Sequence, residues 1–146
     1  MTQTGTGLGR VKKVFRRRIT DLWNVSPIWW PEDTTFTPTG DVLMRVIWGR
    51  FFGLPWAVGG GSVGTGSVSL VFGVKSGPGM DAAKEAAEAQ ARDIGKPTEN
   101  DHAEAVWTLS GIEVVDNVQP SRIPGEFARA FSWIQFVISF TLEEPI

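Results

Sequence analysis

The sequence contains no cysteine, no tyrosine and a single histidine, His102. Without cysteine there are no disulfides, no thiolate nucleophiles and no thiolate metal sites. One histidine removes nearly all remaining transition-metal sites and most nucleophilic dyads. No apolar run is long enough to span a bilayer. The Thr- and Gly-rich start leads into a basic segment instead of an apolar one, so no signal peptide is expected. The Asn24-Val25-Ser26 sequon is then a chance match. These gaps narrow the possible functions before any pattern is considered.

What is present suits one folded domain. A chain of 146 residues, 42% hydrophobic and 21% charged, has room for one core and too little for two ordinary domains. The net charge of -2 hides an asymmetry. Arg10, Lys12, Lys13, Arg16, Arg17 and Arg18 precede the first acidic residue, which leaves 8 basic residues against all 16 acidic ones in the rest. A small basic element thus sits on an acidic body, suited to a nucleic acid or an acidic protein surface.

Hydrophobic spacing places the elements. Residues 1–9 read as a mobile tail. Val11, Val14, Phe15, Ile19, Leu22 and Trp23 fall at helical spacing, with Lys12, Lys13, Arg16 and Arg17 on the other face, so a helix is predicted over 10–23. A loop over 26–40 carries a brief strand at Ile28-Trp29-Trp30. Alternation predicts strands over 42–48 and 67–74. Between them lies a glycine-rich connection, 53–66, too long for a tight turn and bearing Leu54, Pro55, Trp56 and Val58. The Ala/Glu-rich stretch 80–94 predicts a second helix, stopped by Gly95 and Pro97. Short strands are expected at 106–109 and 112–118, a loop at 119–130, and a long final strand. That strand puts Ile134, Phe136, Ile138, Phe140 and Leu142 on one face, and Trp133, Gln135, Ser139 and Thr141 on the other. The order implies an α+β fold: a mostly antiparallel mixed sheet with two helices packed on one face. The second face, with Arg45, Ser67, Ser69, Gln135 and Ser139, is expected to be wet or held against another subunit.

The chemistry-bearing residues form no catalytic set, so no enzyme activity, cofactor or metal is expected. His102 beside Asp101 and Glu104 reads as an exposed loop histidine. Glu32, Asp33 and Asp41 lack the spacing of a calcium loop. Gly59-Gly60-Gly61-Ser62-Val63-Gly64 lacks the Gly-Lys-Ser/Thr ending of a phosphate loop and reads as a hairpin tip. Two surfaces stand out instead. Seven tryptophans and nine phenylalanines exceed what the core alone needs. Phe51, Phe52, Leu54, Trp56, Val58 and Trp30 are candidate subunit contacts, with Trp48 assigned to the core. Arg10, Lys12, Lys13, Arg16 and Arg17 form a candidate basic partner surface. No base-reading motif accompanies them.

The segment Pro27-Ile28-Trp29-Trp30-Pro31-Glu32-Asp33-Thr34-Thr35-Phe36-Thr37-Pro38 resembles the W-x-N-x-x-F-x-P region of small bacteriophage tail proteins. As in that family, it is followed by a strand (Leu43-Met44-Arg45-Val46-Ile47), a Gly-rich connection, a Gly-led strand, a Ser-Gly-x-Gly break and a helix. The ending is similar too: Pro120-Ser121-Arg122-Ile123 and then an aromatic-rich last strand. The resemblance covers roughly residues 10–142, through the order of the pieces and not one motif. It departs at the highly charged first helix and where acidic residues replace the expected Asn. It implies a tail terminator, a virion protein assembled in the host cytoplasm. Such a protein forms a homo-hexameric ring at the head-proximal end of the tail tube, stops tube polymerisation, and joins the tail to a head-side connector or stopper protein. Its partners would be itself, the tube protein and that connector. Genome DNA would pass through the lumen without specific binding, and no membrane is involved. Another neck or tube subunit, or a nucleic-acid-binding module using the basic helix, are the alternatives.

Overall fold

A computed structural model describes residues 7–33, 40–55, 62–96, 106–118 and 130–144. In chain order the elements are α1 (Gly7–Leu22), β1 (Ile28–Trp29), β2 (Val42–Pro55), β3 (Ser62–Lys75), α2 (Met80–Gly95), β4 (Val106–Asp116) and β5 (Phe131–Glu144). The fold is α+β with a five-stranded mixed sheet in the order β1-β2-β3-β5-β4. Only the short β1 runs parallel to its neighbour, β2; the three other pairings are antiparallel.

Side-chain alternation decides which sheet face is apolar. Met44 and Val46, then Val68, Leu70, Phe72 and Val74, then Ile134, Phe136, Ile138 and Phe140 point to one face and are buried. Phe15, Ile19 and Trp23 of the α1 segment and Ala87, Ala91 and Ile94 of α2 belong to the same cluster. Phe15 packs against Phe140 at 5.2 Å between ring centroids, and Trp23 meets Phe72 edge-on at 5.7 Å. Each fully buried Phe, Leu or Ile contributes about 1.5–3 kcal/mol relative to exposure. The small residues of α2 let it lie close to the sheet.

The opposite face is divided. Near β1 it is apolar and buried, where Trp29, Leu43, Val71 and Trp133 form a second cluster. Gly73 pairs with Trp133 there, and a Cβ on Gly73 would stand 2.5 Å from the indole ring. Toward the other end the same face carries Ser67, Ser139, Thr141 and Ser110. The Ser110 and Thr141 hydroxyls are 3.1 Å apart.

Turn chemistry starts α2. Gly79 stands at its N-cap with φ 85°, a left-handed conformation that glycine accepts without strain, and Ala83 N–H donates to the Gly79 carbonyl at 3.1 Å. Arg92 lies in the last turn, where a cation complements the helix dipole.

Three boundaries differ from the sequence reading. Helix α1 begins at Gly7, inside the segment read as a tail. Strand β2 runs to Pro55 and β3 begins at Ser62, so much of the glycine-rich connection is paired strand: Phe51 with Gly66, Gly53 with Gly64, Pro55 with Ser62. Glycine lowers strand propensity, but the ladder satisfies its backbone all the same. The two short strands over 106–118 are one, β4, with an irregularity between Leu109 and Gly111 that absorbs the Ser-Gly break.

Candidate assembly interface

Three of the six contact candidates lie on β2. Phe51, Phe52 and Leu54 lie in the β2 ribbon, paired with Gly66, Thr65 and Val63; their side chains are outside the described residues. Trp56 and Val58 also lie outside the described residues. The ribbon follows a β-bulge between Trp48 and Phe51, where β2 carries one more residue than β3. Gly49 sits in that bulge, and a Cβ there would come within 2.6 Å of the Ser67 carbonyl oxygen.

At 14 residues each, β2, β3 and β5 span about 46 Å at ~3.3 Å per residue, while the 16-residue helices span about 24 Å. Among the described residues, the outermost β3–β5 row with a core side chain is Gly66–Phe140. Four further rows follow, from Thr65–Thr141 to Ser62–Glu144. The described side chains in these rows are Thr65, exposed, and Thr141, half-buried. The ladder thus continues to Ser62–Glu144 beyond the last described core side chain, Phe140.

Trp30 occupies a different place. It is half-buried against the main core, and the Arg16 guanidinium lies 4.3 Å from its ring centroid. Arg16 also pairs with Glu32, whose carboxyl it holds below the ordinary glutamate range. Asp33 closes the turn: its side chain accepts from Trp30 N–H at 3.1 Å, and its carbonyl accepts from the Trp29 indole at 2.8 Å. Glu32 and Asp33 are therefore engaged in fixing this turn. Asp41 accepts from Lys75 N–H through its backbone carbonyl.

No protein-family model matches the chain, and no curated protein matches it.

The basic surface is partly engaged from within. Lys12 lies 5.9 Å from the Trp48 ring, and Arg17 stands 3.9 Å from Asp21 one turn on. Arg18 is buried, and its guanidinium donates to the carbonyls of Ile94 at 2.8 Å and Asp93 at 2.6 Å. Lys13 is exposed, and the Arg10 side chain is outside the described residues. Arg18 is the feature that residue spacing missed, because a charged residue in an amphipathic helix reads as surface. A second is Lys84, buried in α2 and bonded to Asp116 of β4 at 2.7 Å.

Among the described residues, no three of His, Asp and Glu come close enough together to hold a metal ion. His102, Asp101 and Glu104 lie outside the described residues. No described helix is long and apolar enough to cross a membrane. The described residues offer a long ladder of paired strands and a basic helix face.

Proposed function

We propose that this chain is a structural assembly subunit, a tail terminator that closes into a ring of about six copies through heterologous contacts. The ring would cap a phage tail tube, stop its growth and meet the head-side connector or stopper. The observation that carries this reading is the long ladder: β2, β3 and β5 run 14 residues each, with four β3–β5 rows from Thr65–Thr141 to Ser62–Glu144, and Trp56 follows β2 directly in sequence. The edges of a long ladder are templates on which another chain can pair. The order of sequence segments, similar to small phage tail proteins, supplies the biological setting.

In this reading the 51–66 ribbon reaches a neighbouring copy or the tube beneath, with Trp56 as anchor. Acidic side chains near the channel would repel passing DNA, and the α1 basic face would lie outward or against an acidic connector. A different neck or tube subunit would use the same platform, but a tube subunit forms long polymers instead of closed rings. Nucleic-acid binding has less to work with than the sequence suggested, since Arg18 is buried and Arg16 is paired to Glu32. The test is light scattering after size exclusion, with electron microscopy of the same sample. Closed rings support the terminator; long tubes replace it with a tube subunit.

A further inference from the structure

The two helices carry opposite charge on their outer flanks. α1 and α2 lie against each other, joined by the Arg18 bonds and by Gln90, which accepts from Asn24 N–H at 2.9 Å. On α2, Asp81, Glu85 and Glu88 stand at i, i+4 and i+7, which makes them one row. Lys84 neighbours that row, at i+3 from Asp81 and i−4 from Glu88, and it reaches Asp116 of β4. The acidic row therefore lies on the β4 side of α2. On α1, Lys13 and Arg17 form a row, with Lys12 and Arg16 in the row beside it. Lys12 lies over Trp48 of β2, and Arg16 lies over Trp30, the residue after β1. β4 and β1 are the two outer strands of the sheet, so acid and base stand on opposite sides of the molecule.

The charges that carry the match are uncompensated within the chain. Lys13, Asp81 and Glu85 are exposed, and none has a side-chain hydrogen bond or ion pair among the described residues. The α2 row beside the acids is Ala82, Ala86 and Ala89, all exposed, so no bulky side chain holds another helix away. A nucleic acid would use the basic row alone and be repelled by the acidic one. A second copy in the same orientation uses both, because it brings the acidic row of one chain to the basic row of the next. Two copies that set like flank on like flank would bring acid to acid or base to base.

We infer that copies of this chain associate through the acidic α2 row of one, Asp81 and Glu85, and the basic α1 row of the next, centred on Lys13. The inference rests on the ring reading and deepens it: the neighbour's α2, and not the connector, is the acidic surface that α1 meets. The test uses two variants, Lys13→Glu with Arg17→Glu, and Asp81→Asn with Glu85→Lys. Each is followed by sedimentation over a concentration series, alone and in an equimolar mixture. Each alone is expected to lose self-association by about tenfold, with thermal unfolding unchanged. The mixture is expected to recover it, since one variant then presents acid on both flanks and the other no longer does. Recovery in a closed assembly supports both ideas; recovery in open chains supports the contact and ends the ring reading. Variants that assemble as the wild type does, or a mixture that recovers nothing, overturn the contact and leave the ring possible. Wild-type protein that stays monomeric throughout the series overturns both.

Discussion

The Arg18 side chain of α1 reaches the C-terminus of α2, where its guanidinium donates to the Ile94 carbonyl at 2.8 Å and the Asp93 carbonyl at 2.6 Å. The last carbonyls of a helix have no intrahelical partner and carry the negative end of its dipole, so a buried cation there joins the two helices. Arg18→Ala is expected to destabilise the fold by about 2–3 kcal/mol, in the range for hydrogen bonds to charged groups. Arg18→Lys should recover only part, because an ammonium cannot reproduce the guanidinium fork. Urea unfolding measures both; a loss below about 0.5 kcal/mol, typical of surface substitutions, would contradict the capping role.

Lys84 and Asp116 give the fold an acid dependence. The Lys84 hydrogen bond is the largest cause holding the Asp116 carboxyl below the ordinary aspartate range. A folded-state value that is depressed means the contribution is complete above the unfolded value, about 4, and is lost as pH falls through the folded one. Between about pH 5 and pH 2 the wild type should therefore lose more stability than Asp116→Asn. Equal losses in the two proteins would show that the pair contributes nothing to the titration.

Gly73 is fixed by its neighbour across the ladder. Gly73→Ala places a Cβ 2.5 Å from the buried Trp133 ring and should cost about 1–3 kcal/mol, the usual range for overpacking. Gly111→Ala serves as control, since its Cβ would meet nothing within 4 Å. If thermal unfolding gave the two variants the same midpoint, the close approach of Trp133 would not be what requires glycine at position 73.

Most of the fold was legible because alternation and helical spacing report burial directly. Ile134, Phe136, Ile138 and Phe140 lie buried on one face of β5 as their spacing predicted, and Phe15, Ile19 and Trp23 face the core as a helix with that spacing must. The misses share a cause: local signals were overridden by partners distant in sequence. Gly53 and Pro55 read as part of the glycine-rich connection, yet β3 supplies a ladder that carries β2 to Pro55. Ser110-Gly111 read as a break, and the sheet accommodates it as a bulge. Arg18 was given no role by its spacing because its acceptors, Asp93 and Ile94, are far along the chain. The strand order β1-β2-β3-β5-β4 itself is encoded by no local pattern.

Trp56→Ala should weaken assembly while leaving the unfolding midpoint of the single chain unchanged. The anchor role places the side chain against a neighbour or the tube, outside the core of its own chain. Sedimentation across a concentration series separates the two effects. Assembly as strong as wild type would remove Trp56 from the contact.

The most direct test of the assembly account is the solution mass of the purified protein, by light scattering after size exclusion, with the same fractions imaged by electron microscopy. The account predicts a closed ring with a mass about six times that of one chain. A mass of one chain that persists as concentration rises, or open-ended tubes in the images, would contradict it.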